Sequence, residues 1–329
     1  MSIDCQRELQ VGLDAVSRAM AVCQRVRSHL ITSDTLTKKD RSPVTVADFA
    51  SQAIVCAALA EALPDDLIVG EEASGTLRQP EQATISEAVV NHVRSALPQA
   101  DEATTLGWID RGAADGSTDR YWTLDPIDGT KGFLRGEQYA VALALLINKR
   151  VVLGILGCPN LVTAHGTGAI LYAVRGQGTW LIENTATKSS PVQVTSRGDV
   201  APSNVRFCES VESGHSDQDT SQQIAALLGI TAPPLRMDSQ VKYGAVALAK
   251  AHIYLRLPTR SDYREMVWDH AAGSIVLEEA GGTVSDASGL PLDFAHGRQL
   301  EANRGIVATH GVNHDRVIQA IRAAGVNAS

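Results

Sequence analysis

The chain has 329 residues, 44% of them hydrophobic, and a formal net charge of −8. This length exceeds the size at which a single hydrophobic core usually stops growing, so we expect two closely packed domains, residues 1–198 and 199–329. The net charge is negative, and charged residues of like sign do not occur in blocks. Both features argue against binding to a nucleic-acid backbone or an anionic membrane. No apolar run reaches the roughly 18 residues of a membrane span, and the five cysteines lack C-x-x-C spacing. We therefore expect a cytoplasmic protein with reduced thiols, and any nucleotide partner should be small.

Two helices are predicted at the start of the chain. Residues 6–30 carry apolar side chains at every third or fourth position, which is typical of an amphipathic helix packed on a core. After an extended Ser-Pro pair at residues 42–43, Thr45-x-x-Asp48 resembles a capping box that opens a helix ending at residue 63. Asp48 would then lie in the first helical turn. Taken alone, an acid there complements the helix dipole.

The next segment offers one strand and one helix. Residues 66–72 have the pattern of a short strand ending in Glu71 and Glu72, a pair that is ordinarily just exposed. Residues 79–119 are polar. We expect one helix there, at residues 85–97, within a surface excursion.

The most informative stretch is R-Y-W-T-L-D-P-I-D-G-T-K-G-F, at residues 120–133. Residues that favour strands precede Asp125, a proline that cannot extend a ladder follows it, and Gly129 permits a tight turn, so a strand should end at Asp125. Asp125 and Asp128 can then face one cation, with the Ile127 carbonyl beside them. Such oxygen ligands suit Mg²⁺ or Ca²⁺ and not Zn²⁺. An Asp-Gly pair alone is usually a solvated turn, but the longer string is far more specific.

The remaining pattern predicts an antiparallel sheet followed by an α/β layer. Strands completing the first domain are expected at residues 140–147, 151–158, 169–174 and 178–182. The polar segment 189–204 is the expected domain boundary. Beyond it, strands are expected at residues 204–209, 251–257, 282–284 and 306–309, and helices at residues 221–228, 243–250, 270–280 and 314–323.

Two motifs in this second half, M-D-S-Q-V-K-Y and W-D-H-A-A-G, precede predicted helices. Asp269 again falls in a first helical turn, where it could complement the dipole. Considered singly, Ser239 is a helix cap and Lys242 a solvated lysine. His215 and Arg256 would likewise be surface or pairing residues.

Together, S-P-V-T-x-A-D, G-E-E, D-P-I-D-G-T-K-G-F-x-R-G-E and W-D-H-A-A-G resemble the lithium-sensitive, magnesium-dependent phosphatases related to inositol monophosphatase. The resemblance covers residues 6–323. Within that superfamily, K-G-F-L-R-G-E-Q-Y, G-C-P-N-L, G-H-S, D-S-Q-x-K-Y and L-R-L-P are similar to the 3′(2′),5′-bisphosphate nucleotidases. This family implies an α/β (α+β) fold, a layered αβαβα sandwich.

The resemblance implies hydrolysis of the 3′-phosphate of adenosine 3′,5′-bisphosphate, a by-product of sulfate transfer, by in-line attack of water activated by two or three Mg²⁺ ions. The sulfated nucleotide PAPS and inositol 1,4-bisphosphate are further candidate substrates. The family also implies a monomer that is sensitive to lithium.

The resemblance also assigns roles residue by residue. The implied metal ligands are Glu71, Asp125, the Ile127 carbonyl, Asp128 and Asp269. Asp48 and Thr130 are implied to prepare the attacking water. The implied substrate-binding residues are Thr130, His215, Ser239, Lys242, Arg256 and Asp269. Because so many acids would repel one another, a metal-free site should have raised pKa values, and metal should stabilise the fold.

Three alternatives are considered. A haloacid-dehalogenase-type phosphatase needs D-x-D-G-T, and the extra residue between Asp125 and Asp128 breaks that spacing. An inositol phosphate 1-phosphatase would keep the fold and change the substrate. A non-catalytic metal or nucleotide sensor would bind the nucleotide and release no phosphate.

Overall fold

The computed structural model describes residues 4–32, 42–183, 189–195, 198, 200–211, 218–258, 260 and 262–326. Within these ranges the chain forms nine α-helices and twelve β-strands. The helices are α1 Gln6–Thr32, α2 Ser42–Ala62, α3 Ala83–Arg94, α4 Glu102–Asp110, α5 Thr130–Arg135, α6 Gln218–Leu228, α7 Val241–Ala247, α8 Ala271–Glu279 and α9 His314–Ala323. The strands are β1 Leu67–Gly70, β2 Arg120–Asp128, β3 Ala140–Ile147, β4 Arg150–Thr163, β5 Gly166–Val174, β6 Thr179–Glu183, β7 Val192–Val194, β8 Phe207–Glu209, β9 Leu235–Arg236, β10 Ile253–Arg256, β11 Thr283–Ser285 and β12 Ile306–Thr309.

These elements stack in five layers. The first sheet has the order β1-β2-β3-β4-β5-β6-β7, and the second has the order β11-β12-β10-β8-β9. Helices α1 and α2 pack on one face of the first sheet. Helices α7 and α8 lie between the two sheets, and α6 and α9 cover the outer face of the second. The expected αβαβα sandwich is confirmed.

Strand β3 is apolar throughout because helices cover both of its faces. Leu143 and Leu145 belong to the core shared with α1 and α2. Ala142 and Ala144 belong to the core shared with α7 and α8. On neighbouring β4, a Cβ added at Gly154 would lie 2.8 Å from a backbone oxygen of α8. Small residues on this face therefore let α8 approach the first sheet closely.

Two predicted boundaries near the acids are wrong. β2 does not end at Asp125; it continues to Asp128, with a shift in its register against β3 between the two acids. Helix α2 begins at Ser42, so Thr45 lies inside the helix and Asp48 lies in its second turn. A proline is tolerated in a first helical turn because the leading N–H groups need no helical partner.

Other predicted boundaries also need correction. The segment taken as a surface excursion contains α4, which Asp101 caps by accepting a hydrogen bond from the Thr104 N–H at 2.7 Å. β4 runs through the Pro-Asn pair that was expected to end it, and β7 falls inside the expected boundary segment.

Among the described residues, one helix passes a test of length and composition for a membrane span. Val44–Ala62 is apolar enough by length and composition. However, 78% of this window is buried inside the protein, as in the core helix of a globular domain.

Candidate functional site

The end of β1 and the irregular part of β2 lie side by side and deliver acids to one edge of the first sheet. β1 and β2 are parallel, with Gly70 opposite Leu124, so Glu71 and Asp125 follow at the same level. The Glu71 N–H donates to the Leu124 carbonyl at 3.2 Å. Parallel strands commonly present ligand-binding residues at their carboxyl ends.

Helix α2 is fastened to this edge. The hydroxyl of Ser51 donates to the Pro126 carbonyl at 2.9 Å, inside the irregular part of β2. Asp48 lies one turn earlier on the same helix and is buried. The helix therefore holds Asp48 behind the acids of the strand ends, where it feels the charges of Glu72 and Glu71.

A tight turn then redirects the chain from β2 into α5. Gly129 has a φ of 88°, in the left-handed region that glycine adopts readily. A Cβ there would also lie 2.9 Å from the Cβ of Ser239. Glycine therefore allows the turn and lets the Ser239 segment approach, and Thr130 begins the helix immediately afterwards.

A single cavity of about 270 Å³ collects most of the predicted residues. Those lining it are Glu71, Asp125, Ile127, Asp128, Thr130, Ser239, Lys242, Arg256 and Asp269. Asp48 is buried and does not line the cavity. His215 lies outside the described residues, so its assignment stays a prediction.

The acids on one wall are held in an environment that opposes their ionisation. Burial, reinforced by Asp269 and Glu72, raises the pKa of Glu71 to about 8, although Glu71 itself is open to solvent at the cavity wall. Burial and the Asp269 charge raise the pKa of Asp128 to about 6. Burial also raises the pKa of Asp125 well above its usual range, with Glu71 the next cause. Repelling carboxylates at one point are what a bound cation neutralises.

Hydrogen bonding leaves room for such a cation. Among the described residues, Oδ1 of Asp48 and Oδ1 of Asp125 are buried and have no hydrogen-bond partner. The Asp125 carboxyl is close enough to those of Glu71 and Asp269 to share a hydrogen bond, but only if one of the groups carries a proton. Unpartnered carboxylate oxygens form a hard donor set that fits Mg²⁺.

Glu265, Asp269 and His270 form another group, with potential ligand atoms within 4.8 Å of one another. Glu265 is already engaged, because its Oε2 lies 2.9 Å from Nε of Arg256 and 3.1 Å from Nε2 of His270. Burial alone would raise the pKa of Glu265, but the His270 hydrogen bond and the Arg256 charge outweigh it and lower the pKa. We interpret the group as an ion-pair network beside the acidic wall.

Two cations, which we call the basic wall, also line the cavity. Lys242, on α7, is buried, with Nζ 5.1 Å from the centre of the Tyr254 ring. Burial lowers its pKa, an effect that the Asp128 carboxylate opposes. Arg256 ends β10, and its Nη2 lies 3.6 Å from Oδ2 of Asp269. A cavity lined by both acids and cations can hold a metal ion and a phosphate together.

Residues 4–325 match the model of the Inositol monophosphatase family. The chain belongs to the inositol monophosphatase family. Members of this family generally depend on Mg²⁺, which agrees with the donor set described above.

The relatives of this family member confirm the narrower resemblance expected from its motifs. A 3′(2′),5′-bisphosphate nucleotidase of Schizosaccharomyces pombe is 43% identical over 344 residues, covering 98% of this chain and 96% of the relative. One from Oryza sativa is 42% identical over 342 residues, covering 96% and 94%. An inositol monophosphatase structure from Anabaena shares the fold, with a TM-score of 0.63 at 20% identity over 97% of this chain and 96% of that one.

One residue of this family member that the sequence analysis did not single out is Gln240, which is buried. Its side chain donates to the Trp268 carbonyl at 2.8 Å and accepts from the Gly273 N–H at 2.9 Å, while its own N–H donates to Oδ2 of Asp128 at 2.5 Å. Gln240 thus ties the Ser239 segment to the segment that carries Asp269. The available signal was its place within D-S-Q-x-K-Y.

Glu265 and Tyr263 were also missed. Tyr263 lines the cavity, and its hydroxyl lies 3.1 Å from Nη2 of Arg256. Both residues fall between Arg256 and Asp269 in the sequence. An acid four positions before Asp269 was the only local signal.

Proposed function

We propose that this chain is a Mg²⁺-dependent 3′(2′),5′-bisphosphate nucleotidase that hydrolyses the 3′-phosphate of adenosine 3′,5′-bisphosphate to give AMP and phosphate. The observation that carries the proposal is the cavity that Glu71, Asp125, Asp128 and Asp269 share with a lysine and an arginine. Relatives 38–43% identical over nearly the full chain, all named bisphosphate nucleotidases, support this substrate over an inositol phosphate.

The acidic wall holds the metal. Glu71, Asp125, the Ile127 carbonyl, Asp128 and Asp269 hold two or three Mg²⁺ ions. When bound, Mg²⁺ stabilises charge on the phosphoryl and leaving oxygens and lowers the pKa of water.

Thr130 and Asp48 orient the attacking water and take up its proton. Thr130 lines the cavity at the start of α5, and its hydroxyl hydrogen-bonds the water. Asp48, with a buried Oδ1 that lacks a donor among the described residues, receives the proton. General-base assistance of this kind contributes about 10² to 10⁴ in rate. The attack is direct, so no covalent phosphoenzyme forms.

The basic wall holds the nucleotide. Lys242 and Arg256 bind the phosphate that is kept, because an arginine fork and a buried ammonium both match phosphate oxygens. Ser239 and His215 hold the rest of the nucleotide. PAPS and inositol 1,4-bisphosphate carry a similar pair of anionic groups and are the further substrates.

The larger organisation is part of the same proposal. The two domains are residues 1–198 and 199–329, since the first sheet ends at Val194 and the second begins at Phe207. The enzyme is a cytoplasmic monomer inhibited by Li⁺.

The deciding assay measures phosphate release from adenosine 3′,5′-bisphosphate, inositol 1-phosphate and fructose 1,6-bisphosphate, each with Mg²⁺, with EDTA, and with Mg²⁺ plus Li⁺. We expect Mg²⁺-dependent release from the adenosine compound that Li⁺ suppresses. A preference for inositol phosphate would change the assigned substrate and leave the fold assignment unchanged. Binding without release from any compound would support the sensor alternative.

Variants test the two walls separately. Asp125→Asn should abolish release, and Asp14→Asn, which removes an exposed acid paired with Arg18, should not. Lys242→Ala should weaken binding of the bisphosphate more than that of adenosine 3′-monophosphate. Equal weakening would mean that Lys242 does not contact the retained phosphate.

A further inference from the structure

Arg256 lies between the carboxylates of Glu265 and Asp269, to which we assign different roles. Its Nε lies 2.9 Å from Oε2 of Glu265, and its Nη2 lies 3.6 Å from Oδ2 of Asp269 and 3.1 Å from the Tyr263 hydroxyl. A guanidinium that is free to turn pairs with a carboxylate through two parallel hydrogen bonds. Such a pair with Asp269 would take an oxygen ligand from the metal and the arginine from the substrate.

Glu265 is held too firmly to follow Arg256. Its carbonyl accepts from the Leu300 N–H at 2.9 Å, and its side chain is buried. The same Oε2 accepts from Nε2 of His270, because a carboxylate only accepts. Nδ1 of His270 then faces the hydroxyl of Tyr243 at 2.9 Å.

This chain of contacts reaches the other cation. Tyr243 is fully buried, follows Lys242 on α7 and packs edge-on against Tyr254 at 5.1 Å. The Tyr254 ring is the one beneath the Lys242 ammonium. Glu265 therefore belongs to a packed network that reaches both Arg256 and Lys242, and it holds the Nε side of Arg256 in place.

We propose that Glu265 is a positioning residue that anchors Arg256 through Nε, so that the Nη edge faces the phosphate kept on the substrate and Asp269 stays free for the metal. The identity of that phosphate rests on the proposed function. The competing explanation is an ion pair that only stabilises the fold.

The first test compares KM for adenosine 3′,5′-bisphosphate with KM for adenosine 3′-monophosphate in Glu265→Gln. Loss of one charge-assisted contact corresponds to about a tenfold rise in KM for the bisphosphate. Both KM values are measured at saturating Mg²⁺, where KM for the monophosphate should change by less than about twofold, since it lacks the second phosphate. Glu278→Gln is the matched control. Oε2 of Glu278 lies 2.6 Å from Nη1 of Arg175, and neither residue lines the cavity. An unchanged KM ratio in Glu265→Gln overturns the proposal.

A double-mutant cycle separates positioning from general stability. In an Arg256→Met background, Glu265→Gln should leave the KM ratio where Arg256→Met alone puts it, because Glu265 acts through the arginine. A further, additive change in the ratio would overturn the proposal.

The metal side has a readout that does not depend on turnover. Thermal unfolding is followed while Mg²⁺ is added, and Glu265→Gln should need about three- to tenfold more Mg²⁺ for half of the stabilisation, because Arg256 then competes for Asp269. An unshifted midpoint overturns this part. A wild-type chain that releases no phosphate would refute the proposed function and leave this measurement in force.

If Glu265→Gln does not fold, Glu265→Asp replaces it. The shorter side chain keeps the charge and withdraws it from Nε, so we expect a smaller rise in the KM ratio, about threefold. A ratio equal to that of the wild type would then overturn the proposal.

Discussion

Removing the metal should make the stability of this protein depend on pH through the acids of the cavity. The folded-state pKa values of Glu71, about 8, and Asp128, about 6, are raised above their ordinary values. The folded state therefore binds more protons than the unfolded state between these limits. The stability associated with each group is complete below its unfolded pKa and is lost as pH rises through its folded pKa. Bound Mg²⁺ neutralises the carboxylates, so the stabilisation by Mg²⁺ should grow as pH rises.

The size of this effect follows from the shifts. Raising the pKa of Asp128 from 3.8 to about 6 corresponds to about 3 kcal/mol. Glu71 is open to solvent, so its larger shift is discounted for screening to about 2 kcal/mol. Because the two groups repel each other, their joint effect is about 3–5 kcal/mol. At about 0.7 kcal/mol per degree for a chain of this length, the midpoint of thermal unfolding should change by about 4–7 °C.

The assay is thermal unfolding from pH 5 to 9, with Mg²⁺ and with EDTA at each pH. Burial lowers the pKa of His252 and His314, so their contribution is lost as pH falls, but it is equal in both series and cancels from the difference. The Mg²⁺-dependent gain should increase with pH in the wild type and in Glu278→Gln. In Glu71→Gln, which retains Asp128, the increase above about pH 6 should be smaller. A gain that is constant or falls with rising pH would refute the reasoning.

Two further predictions concern packing. A Cβ at Gly273 would lie 2.2 Å from a tyrosine ring carbon of α7, so Gly273→Ala should cost about 1–3 kcal/mol in urea unfolding, whereas Gly107→Ala, with open space around it, should be neutral or stabilising. Asp66→Ala would leave the buried indole N–H of Trp122 without its acceptor at 2.9 Å, a loss of about 1–3 kcal/mol, while removing the exposed neighbour Asp65 should change the free energy of unfolding little. Equal effects of the paired variants would contradict either prediction.

Local sequence patterns predicted most of the secondary structure because their signals are local. The periodicity of α1 and the apolar run of β3 were sufficient for those elements, and α9 matches its expected bounds. The predicted end of β2 was wrong. A proline stops a regular ladder of hydrogen bonds, but this strand continues past its proline with a shifted register. Nothing in the local sequence distinguishes those two outcomes.

The site residues that could be predicted from the sequence are likewise those with a local signal. Asp125 and Asp128 could be recognised because both ligands belong to one short motif. Gln240 could not, because it acts by joining segments that are distant in the chain: it reaches Gly273, 33 positions away. Such contacts depend on the packing of α7 against α8, which no periodicity reveals.

The middle helical layer also sets an order of events during synthesis. Residues 140–147 of β3 leave the ribosome about 100 residues before α7 and α8, so the alanine face of that strand has no cover in the nascent chain. Glu71, Asp125 and Asp128 are likewise made long before Asp269. A nascent chain halted near residue 200 would expose an apolar face and an incomplete acidic cluster. We expect such a chain to bind a chaperone.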